Sequence, residues 1–239
     1  MNPRLLKAIH VALLGLLLTV GIALIVTYAV MDFSARPSTW VKYPLVLVTL
    51  GYSVAVVVLR FFEKERKDIY ADLLLVGALL FTALSDIFLL VTGTHYELAI
   101  SFFIVAQALH FLRIHFLAGR RYAHLVFSVC ARLGLGVAIS IAASSLGYHN
   151  PVIILSCFYF PSLVLNAAES IYFAVKDRGH RAAWIVLSLG FLLFIGCDVF
   201  VGLQFFGSGD SRVIWLFYGP SQLLLAVSGL IFRGWTARA

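Results

Sequence analysis

The sequence predicts an all-α, polytopic membrane protein of about eight transmembrane helices, in a single transmembrane domain covering residues 1–239. Three observations predict it. Apolar residues make up 62% of the chain and charged residues only 12%, whereas soluble domains are about half apolar and a quarter charged. Eight apolar runs are each long enough, at about 20 residues, to cross the hydrocarbon of a bilayer. Lys and Arg alternate by side between the connecting segments, as the positive-inside rule requires.

The first run, residues 9–31, is too long for a signal-peptide core and lacks a small-residue cleavage pattern, so it reads as a span. The second, 44–62, follows Lys42-Tyr43-Pro44 and ends at the charged segment from Glu63 to Asp68, an expected solvated loop. The third, 70–91, stops at the turn Thr92-Gly93-Thr94, and the fourth covers 96–117. The fifth, 125–146, ends at Gly147. Pro151, free of a backbone N–H, can open the sixth, 152–174. The last two are 183–205 and 213–232.

One side of the chain collects Arg4, Lys7, Arg60, Lys64, Arg66, Lys67, Arg113, Arg120, Arg121, Lys176, Arg178, Arg181, Arg233 and Arg238. The other holds only Arg36, Lys42 and Arg212, while Arg132 lies within the fifth span and can snorkel to the basic interface. The rich side is expected to be cytoplasmic, which puts both termini there and the chain in the cell membrane. The net charge of +7 therefore reads as topology and contact with anionic lipid, not as a nucleic-acid site.

Several chemistries lack their residues. Cys130, Cys157 and Cys197 sit in apolar stretches without CxxC spacing, so they read as buried free thiols. No HxxxH or HExxH occurs for a metal, no GxSxG for an acyl-serine, and no P-loop for ATP. No cofactor motif remains.

Ionisable groups at membrane depth cost several kcal/mol unless paired or hydrated, so they default to functional hypotheses. At 1.5 Å per residue, Asp86 lies roughly 24 Å and Asp198 roughly 22 Å from the basic ends of their spans. Two carboxyls at similar depth can share a cavity. Each can also serve structure alone, by bonding Ser, Thr or Tyr hydroxyls between helices. Other polar residues fall at helical spacing: Tyr159, Ser162, Asn166 and Glu169 on span six; Gln107, His110 and Arg113 on span four; Tyr218, Ser221 and Gln222 on span eight; Thr49, Tyr52 and Ser53 on span two. The interior is thus expected to be lined by spans two, three, four, six, seven and eight, with one and five peripheral. Arg113 and Glu169 share the basic third, where they can pair with each other or Arg113 can take a phosphate.

A longer-range similarity accompanies these residues. Gly77-Ala-Leu-Leu-Phe81 precedes Asp86 in span three, and Gly190-Phe-Leu-Leu-Phe194 precedes Asp198 in span seven. The next span carries Phe103 and Gln107 in one case, Tyr218 and Gln222 in the other. A parallel four-plus-four repeat would produce this, as in several transporter folds; so would chance likeness between apolar helices.

The patterns Gly77…Ser85-Asp86, Phe103…Gln107, Gly190…Phe194…Asp198 and Tyr218…Gln222 resemble the YhhN family, from Lys42-Tyr43-Pro44 through the last span. The resemblance implies a lysoplasmalogenase: hydrolysis of the vinyl ether of a lysoplasmalogen or related lysolipid to a fatty aldehyde and a glycerophospho-headgroup. A vinyl ether hydrolyses through protonation of its β-carbon and capture of the oxocarbenium ion by water. Two carboxyls can divide those roles, as they do in glycosidases. Asp86 and Asp198 are the expected catalytic pair. Gln107, His110, Arg113, Tyr159, Asn166, Glu169, Tyr218 and Gln222 are expected to line the substrate site, with membrane lipid or lysolipid as the partner. A proton-coupled transporter, or a lipid-binding protein without catalysis, is the alternative.

Overall fold

A computed structural model describes residues 3–36, 38–62, 69–208 and 210–236 of the chain. Eight long helices account for nearly all of them: α1 Pro3–Phe33, α2 Thr39–Arg60, α3 Ile69–Asp86, α4 Tyr96–Leu117, α5 Tyr122–Ser145, α6 Pro151–Lys176, α7 Arg181–Phe205 and α8 Ser211–Thr236. All eight are long and apolar enough to span a membrane. The expected solvated loop at 63–68, the side chains of Arg4, Lys7 and Arg233, and all of Arg238 lie outside the described residues.

Short connections force successive helices to run antiparallel. The connections 118–121 and 177–180 lie at the same end as both termini, here called the basic end; 93–95 and 146–150 lie at the far end. The turns carry their own signals. Asn150 caps α6 by accepting from the Val152 N–H, and Pro151 opens that helix. At the α6–α7 connection Asp177 accepts from the Trp184 indole and the His180 backbone. Partial burial acts to raise the Asp177 carboxyl, but these donors outweigh it and hold the group below its ordinary range.

Each helix packs on its neighbour in sequence except at the α4–α5 junction. Beyond these, α4 packs on α6, and α8 packs on both α1 and α2 and touches α3. The α4–α6 and α8–α2 contacts are the same contact moved on by four helices, whereas the α1–α8 contact has no counterpart of its size between α5 and α4. Burial along α3 and α7 repeats as well. Ala71, Leu75, Ala78, Leu79, Thr82 and Ser85 are buried at the positions where α7 buries Ala183, Leu187, Gly190, Phe191, Phe194 and Cys197. This register corrects the sequence alignment by one residue. Gly190 corresponds to Ala78, not Gly77, because burial follows the helix face rather than residue identity. Asp86 and Asp198 then correspond without a gap.

The expected division of helices also holds. Only 6% of the α5 span and 17% of the α1 span is buried, against 33–56% for the other six. Without a hydrophobic driving force between helices in lipid, association rests on close van der Waals packing, which small residues permit. Gly219 shows the tolerance: a Cβ there would sit 2.1 Å from the Tyr28 hydroxyl, which donates to the Trp215 carbonyl. That contact seats the far end of α1 on α8. Cys157 and Cys197 are buried as expected, but Cys130 is exposed on the lipid-facing surface of α5. α5 buries so little of itself that apolar sequence there marks lipid contact, not core.

Candidate active site

Asp86 is the last residue of α3, and the chain continues from it into a π-helical turn, Ile87–Thr92. This wider turn ends at Gly93, whose φ of 62° is left-handed and suits glycine. Single π turns are frequent at functional sites because they re-aim the side chains around them. Asp198 lies as far past Arg181 as Asp86 lies past Ile69, so both carboxyls sit about 26 Å from the basic ends of their helices. Asp86 is buried and Asp198 half-buried.

Each carboxylate has a phenol partner from another helix. Tyr218 on α8 donates to Asp86 Oδ2 at 2.6 Å, and Tyr159 on α6 donates to Asp198 Oδ2 at 2.5 Å. These bonds tie α8 to α3 and α6 to α7. They also satisfy one lone pair on each carboxylate, the minimum that burial of such a group demands. A run of aromatic rings joins the two pairs. Phe103 lies 5.5 Å from Tyr159 and 5.8 Å from Phe194, and Phe194 lies 5.5 Å from Tyr218. Tyr159 and Cys197 are within electrostatic range of both aspartates. The fold therefore gathers the two carboxyls, expected from depth alone, into one cluster.

A cleft of about 590 Å³ opens near this cluster at the far end, lined by Thr39, Trp40, Tyr43 and Pro44 of α2 and by Ile87, Leu90 and Val91 of the π turn. Its wall is mainly apolar, and Tyr43 lies within electrostatic range of Asp86. Lys42 closes the neighbouring mouth. Its ammonium pairs with Asp32 at 2.7 Å, Asp32 also accepts from Ser38, and the charge stands 5.2 Å from the Trp215 ring. Asp32 and Trp215 belong to the site's surroundings without a signal in the sequence, whereas Tyr43 stood in the Lys42-Tyr43-Pro44 segment. Asp32 closes an apolar run where a carboxylate reads as a helix end.

The rest of the expected lining separates into two places. Gln107 and Gln222 are fully buried nearer the basic end, as is His110, whose ring meets Phe191 edge-on at 5.3 Å. Asn166 donates to both the backbone and side-chain oxygens of Gln107, at 3.0 Å each. Gln222, His110 and the Gln107 amide nitrogen have no protein partner within hydrogen-bond distance. They form a polar layer under the aspartates. Arg113 lies about 15 Å along α4 from Phe103, and its guanidinium donates to Ser228 at 2.9 Å beside Phe232.

Glu169 does not pair with Arg113. It pairs with Arg120 at 2.8 Å and with Arg132 at 3.0 Å. Arg132 does not snorkel outward; it turns into the bundle, donating to Asn166 and Glu169 and lying 3.9 Å over the Phe111 ring. Helical spacing placed Arg113 and Glu169 at a common depth. It could not show that α5 supplies the nearer cation, because α5 is almost wholly exposed and only Arg132 and Gly136 on it are buried.

The cluster brings together two carboxyls and two phenols, groups able to exchange protons, among closely packed aromatic rings. The chain matches no protein-family model, no curated protein and no solved structure.

Proposed function

We propose that the chain is a membrane hydrolase that cleaves the vinyl ether of a lysoplasmalogen or related lysolipid, with Asp86 and Asp198 as its acid–base pair. The observation that carries this reading is the joining of two carboxyl–phenol pairs by aromatic rings, next to an apolar cleft large enough for a ligand. The resemblance to the YhhN family supplies the substrate class.

In the mechanism, the lipid chain enters beside Tyr43 and the π turn. One aspartic acid protonates the β-carbon of the vinyl ether, leaving an oxocarbenium ion at the α-carbon. The faces of Phe103, Phe194, Tyr159 and Tyr218 and the second carboxylate stabilise that cation. The second carboxylate takes a proton from water as it adds to the α-carbon. The hemiacetal so formed collapses to a fatty aldehyde and a free glycerol hydroxyl. One water is consumed and the proton count balances. Tyr159 and Tyr218 orient the carboxylates they bond. Gln107, Gln222 and His110 are positioning groups beneath them.

A proton-coupled carrier is the second reading. The specific observation in its favour is the recurrence of one carboxyl in each four-helix half at equal depth. The two separate in one measurement. The purified protein in detergent, given a lysoplasmalogen, is expected to release aldehyde with no gradient. Absence of aldehyde there, with substrate-dependent proton uptake in sealed vesicles, would establish the carrier instead.

The basic end is assigned to the cytoplasm by its excess of Arg and Lys. With the exposed native Cys130 replaced by Ala, Tyr148→Cys should react with an impermeant thiol reagent in intact cells. Arg178→Cys should react only after permeabilisation. The opposite pattern would invert the topology.

A further inference from the structure

The α4–α5 junction is the one place where consecutive helices do not pack closely. The backbone of α5 packs closely on α6 alone, burying Arg132 and Gly136, and α5 reaches α4 through Arg132 over the Phe111 ring, while α4 packs on α3 and α6. Beyond the four-residue connection 118–121 the two helices therefore diverge, leaving a groove between them that starts at the basic end. Exposed aromatic residues stand on the helices flanking it: Phe116 on α4, Tyr122 and Phe127 on α5.

Charge at this groove is unbalanced. Arg120 and Arg132 share the single carboxylate of Glu169. Arg121 and His124 are exposed at the start of α5. His115, on the last turn of α4, lies within electrostatic range of Arg120, Glu169 and His124. Two guanidiniums thus share one carboxylate, with Arg121 adding a further cation next to Arg120 in the chain. Two buried nitrogens of the cluster, His115 Nδ1 and Arg132 Nε, have no protein partner.

We infer that this groove is a seat for an anionic phospholipid of the leaflet at the basic end. Its phosphate lies among Arg120, Arg121 and His124, and an acyl chain fills the space between α4 and α5. Three arguments favour this occupant. The cluster sits where helix ends meet the headgroup layer, so a lipid phosphate reaches it without leaving the membrane. The surplus positive charge matches a phosphate, and arginine bonds phosphate oxygens through two parallel N–H groups. Basic pockets between spans on the cytoplasmic side are suited to anionic headgroups. The seat lies most of the membrane's thickness away from Asp86 and Asp198, so it stands or falls independently of the proposed hydrolysis.

The test is thermal unfolding and native mass spectrometry of the purified protein in neutral detergent, with added phosphatidylglycerol or phosphatidylcholine. Phosphatidylglycerol is expected to raise Tm saturably and to stay bound, and phosphatidylcholine to do neither. Arg121→Gln combined with His124→Gln leaves the Glu169 pairs untouched and should fold. It is expected to weaken phosphatidylglycerol binding about fivefold through loss of the Arg121 charge, and further through loss of the His124 N–H donor. Arg178→Gln removes an exposed charge at the same end but outside the groove, and should leave binding unchanged. Equal loss in Arg178→Gln would show diffuse attraction and overturn the site. So would undiminished binding in the double variant, or equal stabilisation by inorganic phosphate alone, which would assign the cluster to a free anion.

Discussion

Asp86→Asn and Asp198→Asn are each expected to cut aldehyde release by about 10²–10⁴-fold, the usual contribution of a general acid or base. The amide keeps nearly the same volume and can still accept from the tyrosine hydroxyl, so the packing of α3 on α8 and of α6 on α7 should survive. Because the two carboxyls would act on one reaction, their double variant should be little slower than the worse single variant. Tyr218→Phe and Tyr159→Phe remove only the bond that orients each carboxylate. A hydrogen bond to a charged group contributes about 1.5–3 kcal/mol, so these should slow turnover by roughly 10–100-fold. A purely structural role for the aspartates predicts the reverse ranking: lower Tm in all four variants, with the surviving folded protein turning over nearly as before. Each variant is therefore compared at equal folded fraction in detergent. Wild-type turnover in either well-folded Asp→Asn variant would end the two-carboxylate mechanism.

The second large effect concerns stability. Glu169→Gln should destabilise the protein by about 3–5 kcal/mol, because it leaves the Arg120 and Arg132 guanidiniums without their shared counter-charge in a partly buried place. The side chains of that cluster retain 9–20% exposure, so the lower end of the range is expected. Arg132→Gln should cost a similar amount, since it also withdraws a donor from Asn166 and a cation from the Phe111 ring. Combining the two should cost clearly less than their sum, the mark of direct coupling in a double-mutant cycle. Arg113→Gln paired with Glu169→Gln should be additive, since Arg113 bonds Ser228 instead. Coupling of Arg113 rather than Arg132 to Glu169, read from thermal unfolding of the four proteins in each cycle, would contradict the observed network.

The class of the protein and most of its outline were legible in the sequence, because they depend on local physics. A run of apolar residues long enough to cross hydrocarbon must be a helix there, since only internal hydrogen bonds can satisfy its backbone. Pro151 and Gly93 mark turns by their own backbone preferences. The depth of Asp86 and Asp198 followed from rise per residue alone. The separation of lining helices from peripheral ones was legible too, since polar stripes occur only where a helix faces other helices.

Tertiary structure decided what those polar residues touch. Tyr218 finds Asp86 across 132 positions and Tyr159 finds Asp198 across 39, and no pattern within one helix encodes such a meeting. The one-residue shift between Gly77 and Gly190 had the same origin. Residue identity pairs Gly77 with Gly190, whereas burial, set by neighbouring helices, pairs Ala78 with Gly190. Glu169 took Arg132 rather than Arg113 because ion pairing depends on which helices are adjacent, and α5 lies against α6 while Arg113 faces α8. In a bilayer every apolar face is equally content with lipid or with another helix, so hydrophobicity fixes the number of spans but not their partners. The partners follow from small residues that let backbones approach and from the few polar side chains that must find one another.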